Sequence, residues 1–272
     1  MGTLTTILLM ALFQGAGEDP GSQFVPGSVA LQDGGKLAYY VREGPGPALV
    51  LIPGSWGGHD VFDETVPALD PALRLIVVEM RGCGESWPPA SNASIELFAE
   101  DILRVVDALG LKRFYVGGHS IGGMIPIEVV KQRPEAVAGA IAIEGWTQHR
   151  VEKEAFGGPQ TLLTPEQEAK RSARRALAKS RMTPEQFKSF GTAWQRWDGL
   201  PILEMTDVPI LEIWGDRARP KPDRKTMRIP ERPNIELVWM EGASHPLLIE
   251  RPKEVASAIN AFIAKTEAAS GE

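Results

Sequence analysis

The chain has 272 residues, 43% hydrophobic and 24% charged, an ordinary globular composition long enough for one large core. Its net charge is −6, from 29 Lys and Arg against 35 Asp and Glu, so nothing marks a basic face for nucleic acid. Cys83 is the one cysteine, and His59, His119, His149 and His245 form no H-x-x-x-H pair, which excludes an intramolecular disulfide and argues against a metal site or bound cofactor.

Residues 1–23 stand apart. Leu4 to Phe13 is an apolar run too short to span a bilayer, so no stable membrane span is expected. Gly15-Ala16-Gly17 supplies small residues where a signal peptidase would cut, although Lys and Arg are missing ahead of the apolar run. The stretch reads as a signal peptide, implying export or a periplasmic location, or as an N-terminal helix of a cytoplasmic protein. Glu18 to Gly27, rich in Gly, Pro and Ser, reads as a linker.

From Val29 the pattern is β. Val29–Gln32 and Leu37–Glu43 flank Asp33-Gly34-Gly35, a turn signal, and predict an antiparallel hairpin at a sheet edge. Ala48–Ile52 is apolar throughout and Arg74–Val78 is apolar after its first residue, as strands buried on both faces are. Ile95 to Leu109 has the helical period, with Ser94 placed to cap it. Further strands are expected at Phe114–Val116, Ala140–Ile143, Ile210–Trp214 and Ile235–Trp239, helices at Ile121–Lys131 and from about Pro252 to Ala264. Apolar strands alternating with helices predict an α/β fold with a mostly parallel sheet covered on both faces.

Residues 146–206 break that rhythm and predict a small helical insertion into a core made of 24–145 and 207–272. Thr164-Pro165-Glu166-Gln167 and Thr183-Pro184-Glu185-Gln186 each carry a threonine cap, a proline at the first helical position and a glutamine to close a capping box. Lys170, Arg171, Arg174, Arg175 and Lys179 follow the first start. They would form a basic surface for an anionic partner or, the favoured reading, a solvated helix face.

Gly118-His119-Ser120-Ile121-Gly122 lies between the Phe114 strand and the Ile121 helix. A direct turn from strand to helix strains its central residue, and glycines two before and two after avoid collision with neighbouring backbone. Ser120 then stands at the carboxyl edge of the sheet, at a helix N-terminus that favours negative charge.

With these residues in view the chain resembles the α/β-hydrolase superfamily from about Val29 to Ala264. Pro53-Gly54-Ser55-Trp56-Gly57-Gly58 is similar to the family's oxyanion loop, with proline where histidine is usual. Glu79-Met80-Arg81-Gly82-Cys83-Gly84-Glu85-Ser86 resembles its D-x-R-G-x-G-x-S. Gly118–Gly122 resembles the nucleophile elbow, Trp214-Gly215-Asp216 the W-G-x-x-D region, and Gly242-Ala243-Ser244-His245 the G-x-x-H that bears the catalytic histidine. The Glu250-Arg251-Pro252 that follows is also family-like, and 146–206 would be the lid.

The resemblance implies a serine nucleophile, Ser120, a general base, His245, and an oxyanion hole from the amides of Ser55 and Ile121. His119 is expected to pack or make a loop contact, and His59 and His149 to be surface or lid neighbours. The family's usual acid position is Ala218, which cannot orient a histidine. Glu144, closing the Ala140–Ile143 strand, is the preferred replacement, as in a subgroup of haloalkane dehalogenases. Asp216 is the alternative and Asp223 lies further on. Glu144 and Asp216 both keep the order Ser…acid…His. Trp56, Trp146, Trp194 and Trp197 would line an acyl pocket or belong to the core.

Serine at the elbow argues against dehalogenase and epoxide-hydrolase chemistry, which use aspartate there. The expected reaction is hydrolysis of a small-molecule carboxylic ester by water, with lactones, C–C bonds, perhydrolysis and amide bonds open to the same machinery. A non-catalytic ligand-binding member of the fold is the alternative of another class. Oligomeric state is not legible.

Overall fold

A computed structural model describes residues 24–32, 34–156 and 163–271. The possible signal peptide, and Asp33 of the expected hairpin turn, lie outside the described residues. Eight strands form one sheet: β1 Val25–Ala30, β2 Lys36–Arg42, β3 Ala48–Ile52, β4 Arg74–Val78, β5 Phe114–His119, β6 Val137–Ile143, β7 Ile210–Gly215 and β8 Ile235–Met240. Their order is β1-β2-β4-β3-β5-β6-β7-β8, antiparallel for β1 with β2 and for β2 with β4, parallel elsewhere.

The first strand starts earlier than expected, inside the stretch read as a linker. Pro26 is tolerated because β1 pairs on one side only. Gly27 lets the Tyr39 ring lie across the strand, since a Cβ there would sit 2.4 Å from it. β6 also starts earlier, at Val137. Gly139 weakens the strand signal, yet a Cβ at that point would meet the Phe262 ring at 2.9 Å.

Helices α1 Ile95–Ala108 and α2 Ile121–Gln132 follow β4 and β5. The insertion between β6 and β7 holds α3 His149–Phe156, α4 Pro165–Arg181, α5 Pro184–Thr192 and α6 Leu200–Met205. The short α7 Arg224–Met227 and α8 Leu247–Glu250 precede α9, Pro252–Ser270, which runs past Ala264 because no glycine or proline intervenes before Gly271. Both capping boxes form, and Ser94 accepts from the Leu97 amide to cap α1.

Alternation along the strands divides the interior into two layers. Val50, Ile52, Ile76 and Val78 pack under α1 and α2. Leu49, Leu51, Leu75, Val77, Leu211 and Ile213 pack against α9. The loop after β4 is drawn into this frame by polar contacts. Buried Arg81 forks onto Asp101 of α1. Buried Glu79 accepts from the amides of His59, at 3.0 Å, and Glu85, at 2.7 Å. The 53–59 loop is thereby tied to the end of β4. No helix among the described residues is long and apolar enough to cross a membrane.

Candidate active site

Ser120 joins β5 to α2 in a left-handed conformation, φ 59° and ψ −125°. Its amide bonds to the Ile143 carbonyl at 2.9 Å, continuing the ladder to β6. The flanking glycines are required sterically. A Cβ on Gly118 would sit 2.1 Å from the Gly122 oxygen, and one on Gly122 would sit 2.4 Å from the Ile52 and Pro53 oxygens. A non-glycine residue held at positive φ costs about 1–3 kcal/mol, so the surrounding packing must impose this turn.

Glu144 caps β6 in the same way, at φ 52°, with its amide donating to the Ile213 carbonyl. It is fully buried. His245 arrives from the loop after β8. Buried Ser244 holds that loop, donating to Glu250 through its amide at 2.6 Å and its hydroxyl at 2.9 Å. His245 Nε2 lies 3.0 Å from Ser120 Oγ, and its Nδ1 lies 3.2 Å from Glu144 Oε2. Ser120, His245 and Glu144 therefore form one hydrogen-bonded line.

Burial pushes the Glu144 carboxyl toward the neutral form, but the His245 hydrogen bond and the nearby Arg217 guanidinium outweigh it and hold the group below its ordinary value. His119 is driven the other way. Burial first, then the neighbouring His245, lower its imidazole to about 4. It is thus neutral near pH 7, and its Nε2 hydrogen donates to the His245 carbonyl at 2.6 Å. His119 makes the loop contact expected of it. His59 stacks on Tyr40 at 3.8 Å, and His149 packs against Trp194 at 4.9 Å.

Asp216 faces elsewhere. Its Oδ1 accepts from the amides of Ala218, at 2.9 Å, and Gly242, at 2.8 Å, clamping the loop after β7 to the loop after β8. Asp223 caps α7, accepting from the Thr226 amide at 2.7 Å.

A cavity of about 490 Å³ opens over Ser120 and His245. Ser55 is exposed to it, while Ile121 opens α2, so its amide lacks a partner within the helix. Gly54 packs tightly under the turn, 3.3 Å from the Ser120 Cβ were it alanine. Of the four tryptophans, Trp56 lines the cavity. Trp146 instead lies parallel to the His245 ring at 5.5 Å, with Trp194 5.2 Å behind it. Trp197 is a correction to the pocket reading: it is buried in the core and donates to Glu128 at 3.0 Å.

On the basic face of α4, Lys170, Arg171, Arg175 and Lys179 are exposed, as the favoured reading has it, while Arg174 is half-buried. Lys170, Arg171, Arg174 and Arg175 line the cavity's roof. Lys170 and Arg174 reach across to Asp60, which they hold in its charged form against the opposing effect of burial. Arg175 lies over the Phe187 ring at 5.9 Å. Sequence reasoning missed Arg217 altogether. Its one signal was an arginine two residues beyond Gly215, in the loop where an acid is usual.

The α/β-hydrolase-fold family model matches residues 47–160. A protein of Azorhizobium caulinodans named "Putative carbamate hydrolase RutD" is 33% identical over 108 residues, 40% of this chain and 41% of that relative's length. The chain thus spans about two fifths of that relative. An esterase structure from Thermogutta terrifontis superposes with a TM-score of 0.66 at 21% identity, covering 90% of this chain and 99% of the other. A bacterial membrane phospholipase A structure reaches a TM-score of 0.71 at 23% identity, covering 91% and 87%. The strand order, the serine turn between β5 and α2 and the family model matched over residues 47–160 agree, and the chain has the α/β-hydrolase fold.

Proposed function

We propose that the protein is a serine hydrolase that cleaves a carboxylic ester through an acyl-enzyme on Ser120. The observation that carries this reading is the Ser120–His245–Glu144 line, with separations of 3.0 Å and 3.2 Å. In the first step His245 takes the Ser120 proton as the oxygen attacks the ester carbonyl. The amides of Ser55 and Ile121 bind the oxygen on which negative charge develops. Glu144 stays ionised and supports the imidazolium. His245 then returns the proton to the leaving alcohol, and a water activated by the same imidazole releases the acid.

Hydrolytic chemistry is also what the printed names of several relatives describe, as a carbamate hydrolase, an esterase and a phospholipase. We assign residues 146–206 to a small lid, because α4 roofs the cavity that holds Ser120. A non-catalytic role is disfavoured by the strained Ser120 turn, which costs stability and gives nothing to a simple binder.

The test is hydrolysis of p-nitrophenyl acetate and butyrate by the purified protein beside Ser120→Ala. Turnover lost in the variant, together with a phosphonate adduct on Ser120 of the parent, is the expected result. A protein that neither turns over these esters nor takes up the phosphonate would not be the enzyme proposed.

A further inference from the structure

The loop after β7 brings a cation to the triad. Arg217 and Glu144 have side-chain exposures of 2% and 0%. The guanidinium forks onto the carboxylate, Nη2 donating to Oε2 at 2.6 Å and Nη1 to Oε1 at 3.2 Å. Nη1 also donates to the Gly215 carbonyl at 2.6 Å, which ties the fork to its own loop. The Gly215 amide completes the set, donating to Oε1 at 2.7 Å. Oε2 is the oxygen that faces His245 Nδ1. Rotating the Glu144 carboxylate out of the plane of the guanidinium would break both arms of the fork.

We infer that Arg217 is a positioning residue of the triad, fixing the plane in which the Glu144 carboxylate faces His245 and keeping that carboxylate charged in a dry site. The inference rests on the serine-hydrolase reading above. The backbone is shaped for it. Arg217 and Ala218 both take left-handed conformations, φ 56° and 53°, and the Asp216 carboxylate secures them by accepting the Ala218 amide. Asp216, the alternative acid, thus shapes the loop that delivers the cation.

The groups facing Glu144 are Arg217 and Gly215 from the β7 end, His245 from the loop after β8, and His119 from the end of β5. His119 is neutral at working pH, lowered to about 4. Among these groups Arg217 is the one positive charge while His245 is neutral. Without it a carboxylate this deeply buried takes up a proton at higher pH and stops serving His245. Lysine, a point charge, cannot cover both oxygens as the planar fork does.

The experiment is kcat and kcat/KM against pH on p-nitrophenyl butyrate for Arg217→Met, Arg217→Lys, Glu144→Gln and the Arg217→Met/Glu144→Gln double variant. Circular dichroism and melting temperature report folding. Arg217→Met is expected to lower kcat about 10²-fold with KM nearly unchanged, the size expected when a misplaced group loses its alignment. Its acid limb moves up by about one pH unit or more. Arg217→Lys should keep the acid limb and lose about tenfold in kcat. In the Glu144→Gln background the methionine should cost nothing further.

Parental kcat and acid limb in Arg217→Met, or an equal loss in both backgrounds, would overturn the inference. Should the methionine variant not fold, Arg217→Lys decides, because parental kcat in a folded lysine variant removes any need for the fork. Turnover retained by Ser120→Ala overturns the hydrolase reading and this inference with it, whereas the Arg217 outcomes overturn the inference alone.

Discussion

The floor of the cavity and its roof are built by different physics. The floor is made of strand ends. Ser120 and, buried behind it, Glu144 and Arg217 sit in left-handed turns, with backbone partners at the strand ends. The roof is α4, whose one buried side chain is Ala178 and which meets the floor through Lys170 and Arg174 on Asp60. Packing and steric exclusion hold the first; solvent-exposed charge holds the second. The floor should therefore respond to changes in shape and buried charge, the roof to salt.

The largest effect belongs to the floor. Glu144→Gln should lower kcat by a factor on the order of 10⁴, as loss of a triad acid does elsewhere. Asp216→Asn keeps the Oδ1 that clamps the loop and should lose only a few-fold. Steady-state kinetics on one ester compares them, and a reversal of the two losses would move the acid to Asp216.

A second floor prediction concerns stability. Glu212, buried on β7 with Trp214 donating to it, has its carboxyl pushed up by burial to about 8. The folded chain therefore holds a proton that the unfolded chain releases above its ordinary 4.5. Folding stability from this group is present below about 4.5 and declines as pH rises toward about 8. Glu212→Gln removes that decline. Its melting temperature should match the parent near pH 5 and exceed it by several degrees at pH 8. Circular dichroism melts that run parallel across this range would contradict the assignment.

The smallest effect belongs to the roof. Asp60→Asn removes a partly exposed ion-pair acceptor worth about 0.2–1 kcal/mol. It should change kcat/KM only a few-fold, and the change should shrink as salt screens the parental pairs. Salt titration of both proteins checks this; a salt-independent difference would mean the roof is held by packing after all.

The same contrast governs what the sequence revealed. The elbow spacing brought Ser120 forward because steric rules at a strand–helix turn leave a glycine pattern, whereas His245 came from the resemblance to the family's G-x-x-H. Glu144 came from the resemblance, which puts Ala218 at the usual acid position and, in one subgroup, a glutamate at the end of this strand, with Asp216 as the alternative. Arg217 left no such trace: whether an arginine in that loop turns inward depends on a backbone held at φ 56° by Asp216. The orientation of α4 was equally hidden. Its capping box and basic residues are local, but the carboxylate that turns Arg174 inward lies 114 residues away. Pro26 and Gly27 concealed the start of β1, which only an edge position tolerates.

The aromatic stack around Trp56 has a mechanical consequence. Its ring lies 4.6 Å from Phe187 and 4.3 Å from Phe190 of α5, and Phe190 in turn meets Phe98 of α1 at 5.4 Å. Trp56 directly follows Ser55. Raising α5 would drag on the peptide beside the Ser55 amide, so this side is tied to the site by packing. The α4 side is fastened to Asp60 by charges that water can replace. On the proposed reading, an ester that slips in beneath α4 would reach Ser120 without disturbing the Ser55 and Ile121 amides.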